Sequence, residues 1–483
     1  MNEMPKNQSG RPWLVRWLFR RQTQRRVLIA LAALATLVAV FYLEENWRGK
    51  RAWESCKREL EAKGAVLDWD KYIPPPVPDD QNFFKAPKMQ EWFVKNPNAP
   101  TNELTMLKTN EDKTATIMDK TAAGNFLAWS SQFQPDFDLM REALKRPYAR
   151  MDGDYTKPYE IPIANFVNVR TVAQALAQRA KCDLLLGRPD QALNELTLLN
   201  DSRRIMERAP TGNPITLVDA MINVAVTGLY MDTIAKGLRS HAWQEPQWVA
   251  LQKQLEQINL PALVVQSFDT EPAATTHTLE TLPTPKLKEW FQVSDGKSSG
   301  GKISFWQNIR NLKWTLIPRG WIYQNMATSA RLVYQQTEGC DAANGVIQPQ
   351  KFGDLSRELN AIALPYKFFA AEAIPNFTKA WQTTAYNQTL VNQGQIACAL
   401  ERYHLAHAKY PETLDALAPQ FIEIIPHDLI GGQPLHYRRE ANGQFVLYSV
   451  GWNETDDGGK VALKKDGSVD REQGDWVWQY PQK

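Results

Sequence analysis

The sequence predicts a mainly α protein: an N-terminal transmembrane helix, an irregular α-helical extracytoplasmic domain, and a small C-terminal α+β domain with a helix on an antiparallel sheet. Three observations predict it. Residues 27–43 read VLIALAALATLVAVFYL, with no charge and no proline. Apolar residues then recur at steps of three and four through the middle of the chain, the period of an amphipathic helix. Near the end, two short stretches of alternating polarity flank Asn442-Gly443, the preferred dipeptide of a tight hairpin turn.

A chain of 483 residues is too long for one ordinary core. These patterns divide it into a basic tail (1–26), the apolar segment (27–43), a juxtamembrane helix with a proline-rich strap (44–90), a helical domain (91–385) and the α+β domain (386–483). Hydrophobic residues make up 43% and charged residues 23%, the balance of a folded protein rather than a disordered one. The net charge of +3 excludes a polyanion-binding chain, so no nucleic-acid partner is expected. Seventeen tryptophans promise large buried side chains, and thirty prolines promise irregular connections.

Residues 27–43 are just long enough to cross a bilayer. A cleaved signal peptide would need small residues next, but Glu44, Glu45, Asn46 and Trp47 follow. The flanks set the orientation. Lys6, Arg11, Arg16, Arg20, Arg21, Arg25 and Arg26 precede the segment against one acid, Glu3, while Glu44 and Glu45 come directly after it. This asymmetry predicts a cytoplasmic N-terminus with the bulk of the chain periplasmic, anchored in a bacterial inner membrane. Residues 12–21 mix Trp13, Leu14, Trp17, Leu18 and Phe19 with arginines, a pattern for a short helix on the anionic inner leaflet. The next most apolar stretch, residues 217–231, is interrupted by Asp219, Asn223 and Thr227 and reads as a buried helix.

Beyond the membrane, residues 48–64 read as a helix with Trp53, Cys56, Leu60 and Ala62 on one face. Residues 73–78, IPPPVP, must be extended, because proline fixes φ and lacks the amide donor. Phe166, Val169, Ala173, Leu176, Ala180 and Leu184 mark one helix, and Ala192, Leu193, Leu196, Leu199 and Ile205 the next. Gly187 ends the first and Pro189 opens the second. This hairpin resembles one tetratricopeptide unit, but no second unit follows at the repeat period, so a generic α-hairpin is expected. Residues 292–301 are rich in glycine and serine and read as a surface loop, and residues 321–336 as a further helix.

The C-terminal hundred residues change character. Residues 387–409 form a helix with Leu390, Gln393, Ala397, Leu400, Tyr403 and Leu405 near one stripe, and residues 435–438 and 445–450 alternate like strands. ALERYHLAHAKYP at 399–411, PHDLIGGQPLHY at 426–437, YSVG at 448–451 and a final GDWVW follow in that order. Their arrangement resembles the globular domain of the major pseudopilin of bacterial type II secretion systems. The resemblance covers about the last fifth of the chain. Unlike a pseudopilin, this chain has its apolar helix far upstream of the matching part and without a leader-peptidase site beside it. It therefore looks like a pseudopilin-like module attached to a different membrane protein. The resemblance implies calcium in the C-terminal loop, with Asn453, Asp456, Asp457 and Asp475 as its ligands here. Hard Ca²⁺ takes six to eight oxygens. Asn453 replaces an acid of the family pattern, the loop is longer, and Lys460, Lys464 and Lys465 dilute its charge. The competing reading is a solvated acidic turn.

Cys56, Cys182, Cys340 and Cys398 form no CxxC pair, which leaves open two disulfides or four buried thiols. Glu401 and His404 have di-iron E-x-x-H spacing but no second copy, so they read as a solvated helix face, as do His404 and His407. No GxSxG, HExxH, P-loop or GxGxxG motif occurs, and no catalytic residue is assigned. Three functions remain: a membrane-anchored interaction or scaffold protein of the bacterial envelope, an accessory component of a type II secretion or pilus-like machine, and an envelope enzyme with an unrecognised site. The expected partners are the bilayer, through residues 27–43, and envelope proteins.

Overall fold

A computed structural model of the chain describes residues 21–94, 104, 106–107, 119–207, 216–283, 316–362, 364–441 and 443–478. The expectations for residues 12–20, residues 292–301 and Asn442 lie outside these described residues. The fold is mainly helical, with 66% of residues in helices and 7% in strands. The chain divides into two compact units, one of residues 1–57 with 282–327, the other of residues 58–281 with 328–483.

In the first unit the apolar segment belongs to helix α1 (Arg21–Ala62). The sequence reading separated 27–43 from a second helix at 48–64, but α1 runs through both without a break. Residues 44–47 contain no proline or glycine, and the i,i+4 pairs Glu44–Arg48 (3.7 Å) and Lys50–Glu54 (3.9 Å) support the helix there. At 1.5 Å per residue it is about 63 Å long. Leu28, Ile29, Leu31, Leu34, Leu37, Val38, Val40, Phe41 and Leu43 are all exposed. The helix is long and apolar enough to cross a membrane. Residues 319–327 of helix α10 (Arg319–Glu338) lie against it. Gly320 N donates to Asn46 Oδ1 (2.7 Å), Trp321 Nε1 to Glu45 Oε2 (2.9 Å), and Cys56 Sγ to the Ala327 carbonyl (3.4 Å).

The second unit contains, in chain order, α2 (Met89–Phe93), α3 (Lys120–Ser130), α4 (Gln134–Ala143), α5 (Phe166–Leu185), α6 (Pro189–Arg203), α7 (Leu217–Arg239), α8 (Glu245–Leu255) and α9 (Leu260–Thr281). Helices α11 (Pro349–Ala361) and α12 (Phe368–His407) follow. The α5–α6 hairpin forms as its period requires. Val169, Ala173, Leu176, Ala180 and Leu184 are buried, although Phe166 is exposed. Gly187 adopts φ +71°, the left-handed turn that suits glycine between helices. Helix α7, also long and apolar enough to cross a membrane, has half of its apolar window buried, with Asn223 and Thr227 inside.

Helix α12 is the axis of the second unit. Trp381 is fully buried and stacks on Phe268 of α9 at 5.6 Å, with Phe352 of α11 at 5.7 Å. One core of buried residues continues from Phe83 to Trp478. The boundary drawn at 385/386 falls inside α12, and that core runs across it.

The strands are short: β1 (Cys340–Asp341) pairs with β2 (Val346–Ile347), and β3 (His436–Arg439), β4 (Phe445–Ser449) and β7 (Trp476–Val477) form an antiparallel sheet in the order β3-β4-β7. β5 (Val461–Leu463) pairs with β6 (Val469–Gly474). Arg439 faces Phe445 across the β3–β4 hairpin, so the pairing is the one read around Asn442-Gly443. On α12, Gln393, Ala397 and Leu400 are buried as expected, whereas Leu405 is exposed.

Candidate functional site

Residues 387–395 of α12 read NQTLVNQGQ, five carboxamides in nine residues. A buried carboxamide needs partners, and here backbone groups supply most of them. Gln388 Oε1 accepts from Leu260 N (2.9 Å), while its Nε2 donates to the Ile258 carbonyl (3.1 Å) and to Asn392 Oδ1 (3.0 Å). Asn392 Nδ2 donates to the His427 carbonyl (3.3 Å), Gln395 Nε2 to the Leu255 carbonyl (3.4 Å), and Gln393 Nε2 to the Trp476 carbonyl (2.6 Å). Gln388, Asn392 and Gln395 on one helix face thus fix the α8–α9 turn and the segment before β3, and Gln393 on another face fixes strand β7. Sequence reasoning missed this role, though the carboxamide run itself was visible.

A cleft of about 470 Å³ opens where these elements meet, within the size range of small-molecule sites. Its wall includes Gln388, Asn392, Gln395, Glu256, Glu423 and His427. The His427 ring lies between the carbonyl oxygens of Asn344 (Nε2, 2.8 Å) and Asp428 (Nδ1, 2.9 Å). Glu256 and Glu423 are the carboxylates of this wall, and Glu256 Oε1 accepts from Gln252 Nε2 (3.3 Å). The described lining residues include two carboxylates and one imidazole, and no serine, cysteine, lysine or arginine.

The C-terminal loop brings the expected calcium ligands near one another. Asp475 is buried and accepts from the amides of Asp457 (3.2 Å), Gly459 (2.6 Å) and Lys460 (3.3 Å). Asn453 Nδ2 is 3.5 Å from Asp457 Oδ2, and its Oδ1 accepts from Thr455 N. Asp456 turns to the Gly458 amide (2.9 Å), the Tyr448 hydroxyl (3.1 Å) and His436 Nδ1 (3.6 Å). The Gly458 amide leads the contacts that hold the Asp456 carboxyl below its ordinary range. Among the described residues no group of three or more His, Cys, Asp or Glu is placed to share a metal. In this arrangement the Asp456 and Asp475 oxygens are turned on protein donors, whereas calcium would gather six to eight oxygens. Asp475 instead closes the loop as an acceptor of three amides. We expect Asp475→Asn to cost roughly 2 kcal/mol, because a carboxamide nitrogen must then face backbone donors. We also expect melting curves of the full chain to coincide in calcium and in chelator. A higher melting temperature in calcium would show that the loop rearranges to take the ion.

The other sequence candidates resolve into structural roles. Glu401 does not lie on a solvated face. It is buried, accepts from the Tyr410 hydroxyl at 2.6 Å, and burial pushes its carboxyl up to about 7. The His404 ring lies 4.6 Å from that of Tyr410, while the His407 ring stacks on Tyr403 at 4.1 Å. All four cysteines are thiols rather than disulfides, three of them buried, and burial pushes Cys182 and Cys340 up to about 12 and Cys398 upward as well. Such groups remain thiols and are poor nucleophiles. Asp428 is buried in the PHDLIGG segment and accepts from Ile430 N (2.9 Å), Ser449 Oγ (2.7 Å) and Val450 N (3.1 Å). It joins that segment to the end of β4.

A buried ion pair joins the α5–α6 hairpin. Arg179 Nε and Nη2 donate to Glu195 Oε1 at 3.0 and 2.8 Å, with Ser130 and Gln134 completing the guanidinium's partners. Burial, with the nearby Glu195 charge, pushes Asp183 up to about 6. No known protein family, curated protein or solved structure matches the chain.

Proposed function

We propose that the chain is a single-pass membrane protein of the bacterial envelope that holds its helical body and C-terminal α+β lobe on the extracytoplasmic side, where they bind other envelope components. The observation that carries this reading is the unbroken row of exposed Leu, Ile, Val and Phe side chains on α1 between Val27 and Leu43. Left in water, such a surface would be unfavourable by about 25 cal/mol per Å², and the lipid core removes that cost. The arginines before the segment set the orientation, since translocating them is the less favourable topology. A binding role fits the polar cleft beside α12, whose carboxylates, imidazole and amides present recognition groups.

Topology is tested by reporters fused after Lys483. A reporter active only in the periplasm should work there, and a working cytoplasm-only reporter overturns the orientation. We expect the chain to stay in the membrane pellet after alkaline carbonate washing, with residues 27–43 retained. A mature N-terminus near Glu44 would make the protein secreted and soluble instead.

A further inference from the structure

The apolar surface does not end with the predicted span. Four large side chains at its far end are exposed in the structure: Leu43 by 70%, Trp47 by 63%, Leu316 by 59% and Phe41 by 45%. Leu316 comes from a distant part of the sequence. Its carbonyl accepts from the Tyr42 hydroxyl, which places it level with the last turn of the apolar run. The Trp321 ring meets Phe41 edge-on at 6.4 Å. Trp47 lies on the other flank of α1, two residues and about 200° from Gly49, the face that α10 covers. The guanidinium of Arg51 sits 5.4 Å over the Trp47 ring. The acids at this level have partners: Glu44 pairs with Arg48, and Glu45 with Arg48 and the Trp321 indole.

Trp47 stands four residues beyond Leu43, about 6 Å further along the helix. The headgroup layer on each side of the hydrocarbon core is about 5–7 Å thick. Indoles concentrate in that layer, and arginines beside it keep their stems in apolar surroundings and their heads at the phosphates.

Resting on the membrane-anchor reading, we propose that Phe41, Leu43, Trp47 and Leu316 form a collar seated in the interfacial layer of the extracytoplasmic leaflet. The bilayer is then contacted by a second chain segment, at Leu316, and not by the span alone. Two segments joined through Tyr42 fix the rotation of α1 about its axis, which a lone span leaves free.

Nitroxide labels report depth through collisions with oxygen, which enters lipid, and with a nickel chelate, which stays in water. The full chain, in a Cys340→Ser background, is reconstituted in nanodiscs of phosphatidylethanolamine and phosphatidylglycerol. It is labelled separately at Leu34→Cys in the span, Leu316→Cys and Trp47→Cys in the collar, and Glu54→Cys beyond it. All four positions are exposed, so the labels displace no core packing. We expect the oxygen-to-nickel collision ratio to be highest at 34, lowest at 54, and several-fold above the position-54 value at both 316 and 47. A ratio at 316 equal to that at 54, with 34 still deep, overturns the collar and leaves the span standing. A ratio at 34 equal to that at 54 overturns the membrane reading itself, and the collar with it.

Discussion

Gly320→Val is expected to unseat the start of α10 from α1, with a loss of stability of about 3 kcal/mol, at the upper end of what overpacking costs. The reason is a backbone-to-backbone crossing. A Cβ on Gly320 would lie 1.9 Å from the Glu45 carbonyl oxygen and 2.8 Å from the Asn46 Cα. From the other side, a Cβ on Gly49 would lie 2.1 Å from the Gly320 carbonyl oxygen. No side chain can rotate away to relieve either overlap, so the helices must separate. Separation also stretches the bonds from Gly320 N to Asn46 and from Trp321 to Glu45. Gly124→Ala and Gly353→Ala provide the contrast. Both are glycines within helices with nothing inside 4 Å of the added carbon, and alanine there should stabilise by roughly 0.5–1 kcal/mol through helix propensity. Thermal melts of the detergent-solubilised full chain decide the matter. Equal melting temperatures for Gly320→Val and its parent would show that the crossing is not required.

That crossing illustrates what the sequence leaves hidden. The apolar helical segment at 27–43 is legible because its signal is local, a run of apolar residues without charge. The α5–α6 hairpin is legible because a 3.6-residue period and the Gly187–Pro189 punctuation act over one or two turns. Gly49 and Gly320 are each an ordinary helical glycine until the fold brings them together. The continuity of α1 was missed for another reason: Glu44, Glu45 and Asn46 look like the end of a span, yet all are compatible with helix.

The candidate sites were legible in composition and not in orientation. Asn453, Asp456, Asp457 and Asp475 do meet in one loop, but which way a carboxylate points depends on which amides the turn exposes to it. The carboxamides of α12 carry no catalytic signature, and their partners at Leu255, Ile258, Leu260, His427 and Trp476 lie on separate segments. Glu401 looked solvated because charge in a helix normally faces water. Its partner Tyr410 lies beyond the helix end, after the chain turns at Ala408, which adopts φ +56°.

The inward turn of Glu401 gives the second large expected effect. Burial raises its carboxyl from the ordinary 4.5 to about 7, and the Tyr410 hydroxyl offsets only part of that rise. A carboxyl whose folded value lies above its unfolded value binds its proton more tightly in the folded state. Its stability contribution is therefore complete below about pH 4.5 and is lost as pH rises through about 7. The gap corresponds to about 3 kcal/mol once the group is ionised in both states. Glu401→Gln keeps an oxygen to accept from Tyr410 and carries no charge at any pH. We expect it to stabilise the chain by about 3 kcal/mol at pH 8 and by less than about 1 kcal/mol at pH 5. Asp183 and Asp219, each raised to about 6 by burial, act in the same direction, so the parent should itself be more stable near pH 5 than near pH 8. Melting temperatures of parent and variant across that range measure the difference directly. A variant whose advantage does not grow between pH 5 and pH 8 would show that Glu401 is ionised at little cost in the folded chain, through water reaching the pocket it shares with Tyr410.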